Sequence, residues 1–191
     1  MSRLSDREFK EMNDPGRRAL QRLVEYPLFK RMGLSVKGKD VLEVGCGSGY
    51  GAELLLADGP ASYAGFDFMP EQIELARKRL PQVDFSVGDA TDMRAIGDSS
   101  KDLLVVFGVL HHIPTWDAAV SECYRVLRPG GEMYIEEPGG ALIQWAERIW
   151  KLDHPIRFGL EDFETQLEKA GFIIERRIRT LGMGIYRLRK A

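Results

Sequence analysis

Apolar positions along this chain change period repeatedly, and from Asp40 onward short apolar runs alternate with stretches of helical spacing. Val41–Val44, Ala61–Phe66, Val83–Val87, Leu103–Phe107 and Glu132–Glu136 read as strands, the fourth apolar enough for burial on both faces. Between them, helices are predicted through Leu54–Leu56, from Pro70 with Ile73, Ala76 and Leu80 in step, and over Trp116–Leu127. Pro129-Gly130-Gly131 stops the last of these and starts the fifth strand, a structural turn with no catalytic part. Repeated strand–helix units require right-handed crossovers, and so a parallel, doubly wound sheet.

The two ends differ from this middle. Ser5 and Glu8 are spaced as a capping box, and Asp14-Pro15 reads as an N-cap with proline in the first turn. The helix that follows places Leu20, Leu23, Val24 and Leu28 on one apolar face, and Pro27 is expected to kink or end it. At the other end, a helix over Leu160–Ala170 stops at Gly171, and strands follow over Phe172–Arg179 and Gly184–Arg189. So few residues separate these two strands that they must form an antiparallel hairpin. The expectation is one α/β domain with a seven-stranded sheet, mostly parallel. Residues 1–35 form an N-terminal helical cap, 36–138 a ligand-binding core, 139–160 a substrate-side insertion and 161–191 the C-terminal helix and hairpin.

With 191 residues, 44% of them hydrophobic, the chain can bury one substantial core. A formal charge of -2 supplies no general pull toward nucleic acid or anionic membrane. Two cysteines and three histidines cannot make a disulfide framework or a structural zinc site, so no metal is expected. Met1–Lys10 is polar and charged, and no apolar run approaches a membrane span, which predicts a cytoplasmic protein without membrane insertion.

The chemistry concentrates after the first strand, in Val41-Leu42-Glu43-Val44-Gly45-Cys46-Gly47-Ser48-Gly49. Alternate glycines let the backbone turn sharply and lie against a ligand, and the next helix N-terminus offers amide groups. Such a loop serves several nucleotides. Gly47-Ser48-Gly49-Tyr50-Gly51-Ala52 even matches a dinucleotide fingerprint, but begins two residues too late after the strand. Glu43 just before the loop suits a ligand with an ammonium and a sulfonium better than a pyrophosphate. Asp67 ends the second strand, where an acid can accept from both ribose hydroxyls, or it is an ordinary loop aspartate. Phe68 and Met69 could flank an adenine. Asp89, within Gly88-Asp89-Ala90-Thr91, could accept from an adenine amino group or form an Asx turn.

Together with Val109-Leu110-His111-His112-Ile113 and Arg125-Val126-Leu127-Arg128-Pro129-Gly130-Gly131, these motifs resemble the class I S-adenosylmethionine-dependent methyltransferases, in particular the UbiE-like small-molecule group. The resemblance covers Val36–Pro138 closely and the tail loosely, and implies a Rossmann-like fold. It implies S-adenosylmethionine as cofactor and S-adenosylhomocysteine as product. Glu43, Gly45, Cys46, Gly47 and Gly49 would surround the methionine part, Asp67, Phe68 and Met69 the nucleoside, and Gly88, Asp89 and Ala90 the adenine. The backbone at Phe107 would meet the methionine amino group.

Methyl transfer from a sulfonium needs orientation, water exclusion and at most one proton removal. His112, beyond the fourth strand, could be a general base or could shape its loop, with His111 and His154 as weaker catalytic candidates. Glu136 and Glu137 end the fifth strand facing opposite ways, so one at most should reach the pocket. Leu142, Trp145, Ala146, Ile149 and Trp150 form an apolar stripe that either packs on the sheet or closes over substrate, and favours an apolar or aromatic small-molecule acceptor. Arg176, Arg177, Arg179, Arg187, Arg189 and Lys190 cluster in the tail, either as a nucleic-acid patch or as edge-strand protection, and no nucleic-acid partner is expected. A non-catalytic cofactor-binding or scaffolding protein of the same fold is the alternative function.

Overall fold

The computed structural model describes residues 9–10, 12–150 and 158–191, with the side chains of 146–150 outside the description. The Ser5/Glu8 capping box and His154 therefore lie outside the described residues. Seven strands form one sheet: β1 Asp40–Val44, β2 Ser62–Asp67, β3 Asp84–Val87, β4 Lys101–Phe107, β5 Leu127–Pro138, β6 Phe172–Thr180 and β7 Met183–Lys190. Their order is β3-β2-β1-β4-β5-β7-β6, parallel except for β7, which runs antiparallel between β5 and β6. The sheet is therefore the Rossmann-like, mostly parallel one predicted, closed by the C-terminal hairpin.

Helices α3 Tyr50–Ala57, α4 Pro70–Arg79 and α5 Trp116–Val126 make the crossovers, and α7 Leu160–Lys169 precedes the hairpin. Alternate strand residues feed two cores. Leu42, Val44, Leu104, Val106, Met133 and Ile135 pack with Val120, Cys123, Phe163 and Leu167. Val41, Leu103, Val105, Phe107 and Tyr134 pack on the other face with Phe29, Tyr26 and Leu55. Both faces of β1 and β4 are thus covered, the reason their sequences are apolar runs rather than alternations.

Two local expectations are corrected. Pro129-Gly130-Gly131 does not precede β5; it lies within its span. Leu127 already pairs with Lys101, the next partners are Leu103 and Glu132, and residues 128–131 loop out with Gly130 at φ +77°. The second correction concerns the N-terminal helices. A continuous helical path runs through α1 Pro15–Leu20, a π-turn over Gln21–Glu25 and α2 Tyr26–Arg31, so Pro27 neither ends it nor leaves an unpaired turn. The wider π-turn lies just before Pro27, whose ring would otherwise press on the preceding turn. The buried face is also not the aliphatic one: Leu23 is 71% exposed, and Leu20 and Val24 are exposed with it. Gln21, Glu25, Tyr26 and Phe29 face inward instead.

Phe29 decides that orientation, stacking on Phe107 at 5.2 Å and lying 5.8 Å from Tyr134. Tyr26 and Lys30 both reach Asp58 at 2.6 Å and pin the same helix to the end of α3. The tail arginines are held on the chain itself. Arg177 and Arg179 pair with Glu164, Arg187 with Glu132 and Arg189 with Glu175, while Lys190 Nζ donates to the Tyr124 and Leu127 carbonyls. Among the described residues, no helix is long and apolar enough to cross a membrane. The inverted helix face gives a direct test by urea denaturation. Phe29→Ala should cost about 3–5 kcal/mol, the usual loss for a buried phenylalanine, whereas Leu23→Ser should stay within about 0.5 kcal/mol.

Candidate functional site

β1 is flanked by β2 on one side and β4 on the other, so the chain reverses its winding direction there, and a crevice opens beyond the carboxyl ends of these strands. A cleft of about 730 Å³, part of it open solvent, occupies that place. Its floor is the loop after β1. Gly45, Gly47 and Gly49 all have positive φ, and a Cβ on Gly45 would come within 2.5 Å of Val109. Gly45 and Cys46 donate their amides to the Phe66 carbonyl at 2.9 Å. Asp67 completes the fastening: its carboxylate accepts from the amide of Gly47 at 3.0 Å and that of Met69 at 2.9 Å. One acid therefore sets the glycine loop and the entry to α4.

The electrostatics are unusual for a water-facing cleft. Glu43 is 1% exposed, accepts from the Tyr63 hydroxyl, and holds its other oxygen where a Cβ on Gly51 would be. Burial pushes its carboxyl up to about 8; Asp67 adds to this, while the Tyr63 hydroxyl and Arg17 oppose it. Burial also raises Asp67, against the Met69 and Gly47 amides. On the neighbouring strand end, burial and the proximity of Glu25 push Glu136 up to about 9, and burial raises Glu137 to about 7. The countercharge comes from α1, where Arg17 lines the cleft and holds Glu25 at 2.6 Å.

Of the residues singled out in the sequence, Glu43, Gly45, Cys46, Gly47, Asp67, Phe68, Met69, Phe107 and His112 line this one cleft. Gly49, Gly88, Asp89, Ala90 and His111 do not. Asp89 forms the Asx turn, accepting from the amide and hydroxyl of Thr91, and Ala90 is in the core. Neither Glu136 nor Glu137 lines the cleft, although they do face opposite sides of the sheet with Tyr134 and Ile135 respectively. Along α6, Gly140–Trp150, the apolar stripe does not pack as a whole, because Trp145 is 54% exposed and Ile143 is the buried neighbour. Cys46 and Cys123 are free buried thiols, both raised chiefly by burial and so unreactive.

Sequence reasoning missed Arg17 and Gln21 from the N-terminal helix, and Ser48 and Gln72 from the loop and α4. The available signal was the polar series Arg17, Gln21, Glu25 at intervals of four, leading into Tyr26 and Phe29. Ser48 Oγ and Gln72 Oε1 are buried with no hydrogen-bond partner among the described residues. Unmatched buried polar atoms are costly, and in a cleft they mark where a ligand completes the bonding. Among the described residues, no group of three acids, histidines or cysteines could hold a metal ion.

The fold and cleft together define an α/β domain with a ligand crevice at the carboxyl ends of its parallel strands. A family model described as a methyltransferase domain matches residues 42–135, from β1 into β5. A protein of Mycolicibacterium smegmatis named "Probable S-adenosylmethionine-dependent methyltransferase" is 36% identical over 152 residues, covering 78% of this chain and 57% of that protein. The phthiotriol/phenolphthiotriol dimycocerosates methyltransferase of Mycobacterium leprae is 37% identical over 117 residues, covering 59% and 43%. This chain thus spans about half the length of these relatives. Among solved structures, an S-adenosylmethionine-dependent methyltransferase from Mesorhizobium loti shares the fold with a TM-score of 0.77 at 15% identity, covering 87% of this chain and 97% of its own. The [4+2]-cyclase SpnF shares it with a TM-score of 0.73 at 21%, covering 93% and 85%. The chain belongs to the class I S-adenosylmethionine-dependent methyltransferases.

The buried acids predict a sign for stability against pH. Glu43, Glu136 and Glu137 titrate higher folded than the usual carboxyl value of 4.5, so between those pH values the folded chain binds more protons than the unfolded one. Their contribution is full below about pH 4.5 and is lost as pH rises through about 7–9. The melting temperature should fall from pH 6 to pH 9. Glu136→Gln, neutral throughout, should fall less, by at least the 2–4 °C that about 1 kcal/mol produces in a domain of this size. Parallel curves for the two proteins would contradict the assignment.

Proposed function

We propose that this domain binds S-adenosylmethionine in the cleft and transfers its methyl group to a small-molecule acceptor, leaving S-adenosylhomocysteine. The observation that carries the reading is the desolvated Glu43 carboxyl beside a fastened glycine loop, with Asp67 at the next strand end of the same cleft. Glu43, held by Tyr63, faces the cofactor's ammonium, and Arg17 faces its carboxylate. Gly45, Cys46 and Gly47 give the backbone wall for the methionine chain, and Gly49 turns that loop into the next helix. Asp67 receives the ribose hydroxyls and Phe68 and Met69 flank the base, whereas Gly88, Asp89 and Ala90 do not line the cleft and take no part in this reading. Ser48 and Gln72 supply the buried oxygens that wait for donors.

When bound, this cofactor supplies an electrophilic methyl group on a positively charged sulfur whose departure is neutral. The chain's task is then to align an acceptor, exclude water and take a proton where the acceptor carries one. Phe107, Val109 and Met69 give the cleft an apolar wall that favours an apolar or aromatic acceptor. His112 borders the same cleft and is the group placed to accept the proton. A second reading, a cofactor-binding protein without methyl transfer, is favoured by the cyclase that shares this fold, because fold does not fix chemistry.

Calorimetric titration with S-adenosylhomocysteine, followed by turnover of methyl-labelled cofactor against phenols, amines and hydroxylated apolar compounds, separates the two. Binding with label transfer supports the enzyme, and binding without transfer across the panel supports the second reading. Arg17→Ala and Glu43→Gln should each weaken binding by roughly 10–100-fold, the worth of a hydrogen bond to a charged group at 1.5–3 kcal/mol. No binding at all, with a melting shift from NAD instead, would overturn both.

A further inference from the structure

The methyl-transfer reading leaves Glu137 unused, yet its carboxylate meets four N–H and ring-nitrogen groups. It ends β5 on the face opposite Glu136 and is 0% exposed. One oxygen accepts from the amides of Val109 at 2.9 Å and Leu110 at 2.7 Å. The other accepts from the His111 amide at 3.2 Å and lies 2.8 Å from Nδ1 of the His111 ring. All four contacts fall on consecutive residues that open the single 3₁₀ turn Leu110–His112. That turn follows β4 and carries Val109 and His112 into the cleft. The ring of His111 is 3.9 Å from that of His112, centroid to centroid.

Above about pH 7, where Glu137 is ionised, its carboxylate surrounded by three main-chain N–H groups can only accept, so the histidine nitrogen that meets it must carry a proton. This fixes the neutral ring of His111 as the Nδ1–H tautomer, with the lone pair on Nε2. The same arrangement orients histidines elsewhere, when a carboxylate behind the ring selects which nitrogen faces outward. Burial alone would neutralise Glu137; the amides of Leu110, Val109 and His111, and the nearby His112, work against that.

We propose that Glu137 is the positioning residue of this site. It sets the His111 tautomer, and through the adjoining tilted ring and the three amides it fixes where the His112 imidazole meets the acceptor. It also offsets the positive charge that His112 gains on taking a proton. A loop staple would need the amide contacts alone; a positioning residue needs the ring contact as well. The part concerning the acceptor rests on the methyl-transfer reading, whereas the tautomer does not.

The test is nitrogen NMR on the ligand-free full chain, whose three histidines make assignment tractable. His111→Gln, His112→Gln and His154→Gln would assign the rings, and long-range proton–nitrogen spectra at pH 8 would read each tautomer. The expected result is an Nδ1–H tautomer for His111. In Glu137→Gln, the amide oxygen stays with Val109 and Leu110 and the amide N–H turns to His111. His111 Nδ1 should then move to the unprotonated, pyridine-type range, and the His112 ring resonances should shift with it. An Nε2–H tautomer for His111 in the unmodified chain would overturn the proposal without any variant having to fold. A folded Glu137→Gln whose His111 and His112 signals stay in place would also overturn it, reducing Glu137 to a staple. Calorimetry with S-adenosylhomocysteine on the same samples reports separately on the cofactor reading, so failure of one is distinguishable from failure of the other.

Discussion

The constraint on which the rest depends is the burial of carboxyl groups at the carboxyl ends of parallel strands. β1 ends beside Glu43, β2 at Asp67, and β5 at Glu136 and Glu137, and all four are largely or wholly withdrawn from water. Isolated carboxylates are expensive to bury, so each must neutralise, collect N–H donors or find a cation. The three solutions divide the site. Asp67 collects amides and thereby fixes the glycine loop. Glu137 collects amides and a histidine, and fixes the loop after β4. Glu43 has the Tyr63 hydroxyl within the strands and is otherwise driven toward its neutral form by burial. Loop conformation and ligand preference thus follow from the same desolvation.

That arrangement holds only because the layers around it are apolar and tight. Phe29 on Phe107 keeps the N-terminal helix against the sheet, and this carries Arg17 to the cleft as a cation acting on Glu43 and Glu136. On the opposite face, Phe163, Phe158 and Trp116 stack next to the 3₁₀ turn that bears the histidines, and hold α5 and α7 together. Edge strand β6 carries exposed arginines, of which Arg177 and Arg179 pair with Glu164 of α7, and such charges discourage pairing with another chain.

Much of the fold was legible because its signals are local. Short apolar runs between stretches of period 3.6 locate β1 to β5, and the short gap between the last two strands forces the hairpin. The position of β7 between β5 and β6 is a matter of burial: β7 is buried through Gly184–Tyr186 and at Leu188, whereas β6 is exposed at most positions after Phe172. The N-terminal helix was misread because a stripe of Leu20, Leu23 and Val24 looks like a core face, while the true inward face mixes Gln21 and Glu25 with Tyr26 and Phe29. Polar residues are buried there because the cleft gives them partners, which only the assembled sheet reveals. For the same reason Glu43, Asp67 and the glycines were readable from one stretch of chain, but Arg17 and the Glu137–His111 contact were not: each joins residues far apart in sequence.

Burial favours the protonated form of Glu43, and the proposed cationic ligand would favour the ionised one. Calorimetry of S-adenosylmethionine binding at pH 6.5, repeated in buffers of different ionisation enthalpy, measures the protons exchanged. With Glu43 near 8 before binding, the cation should draw it into the ionised form and release about one proton per site, and Glu43→Gln should abolish the release. Binding with no proton release, or with uptake, would contradict the account.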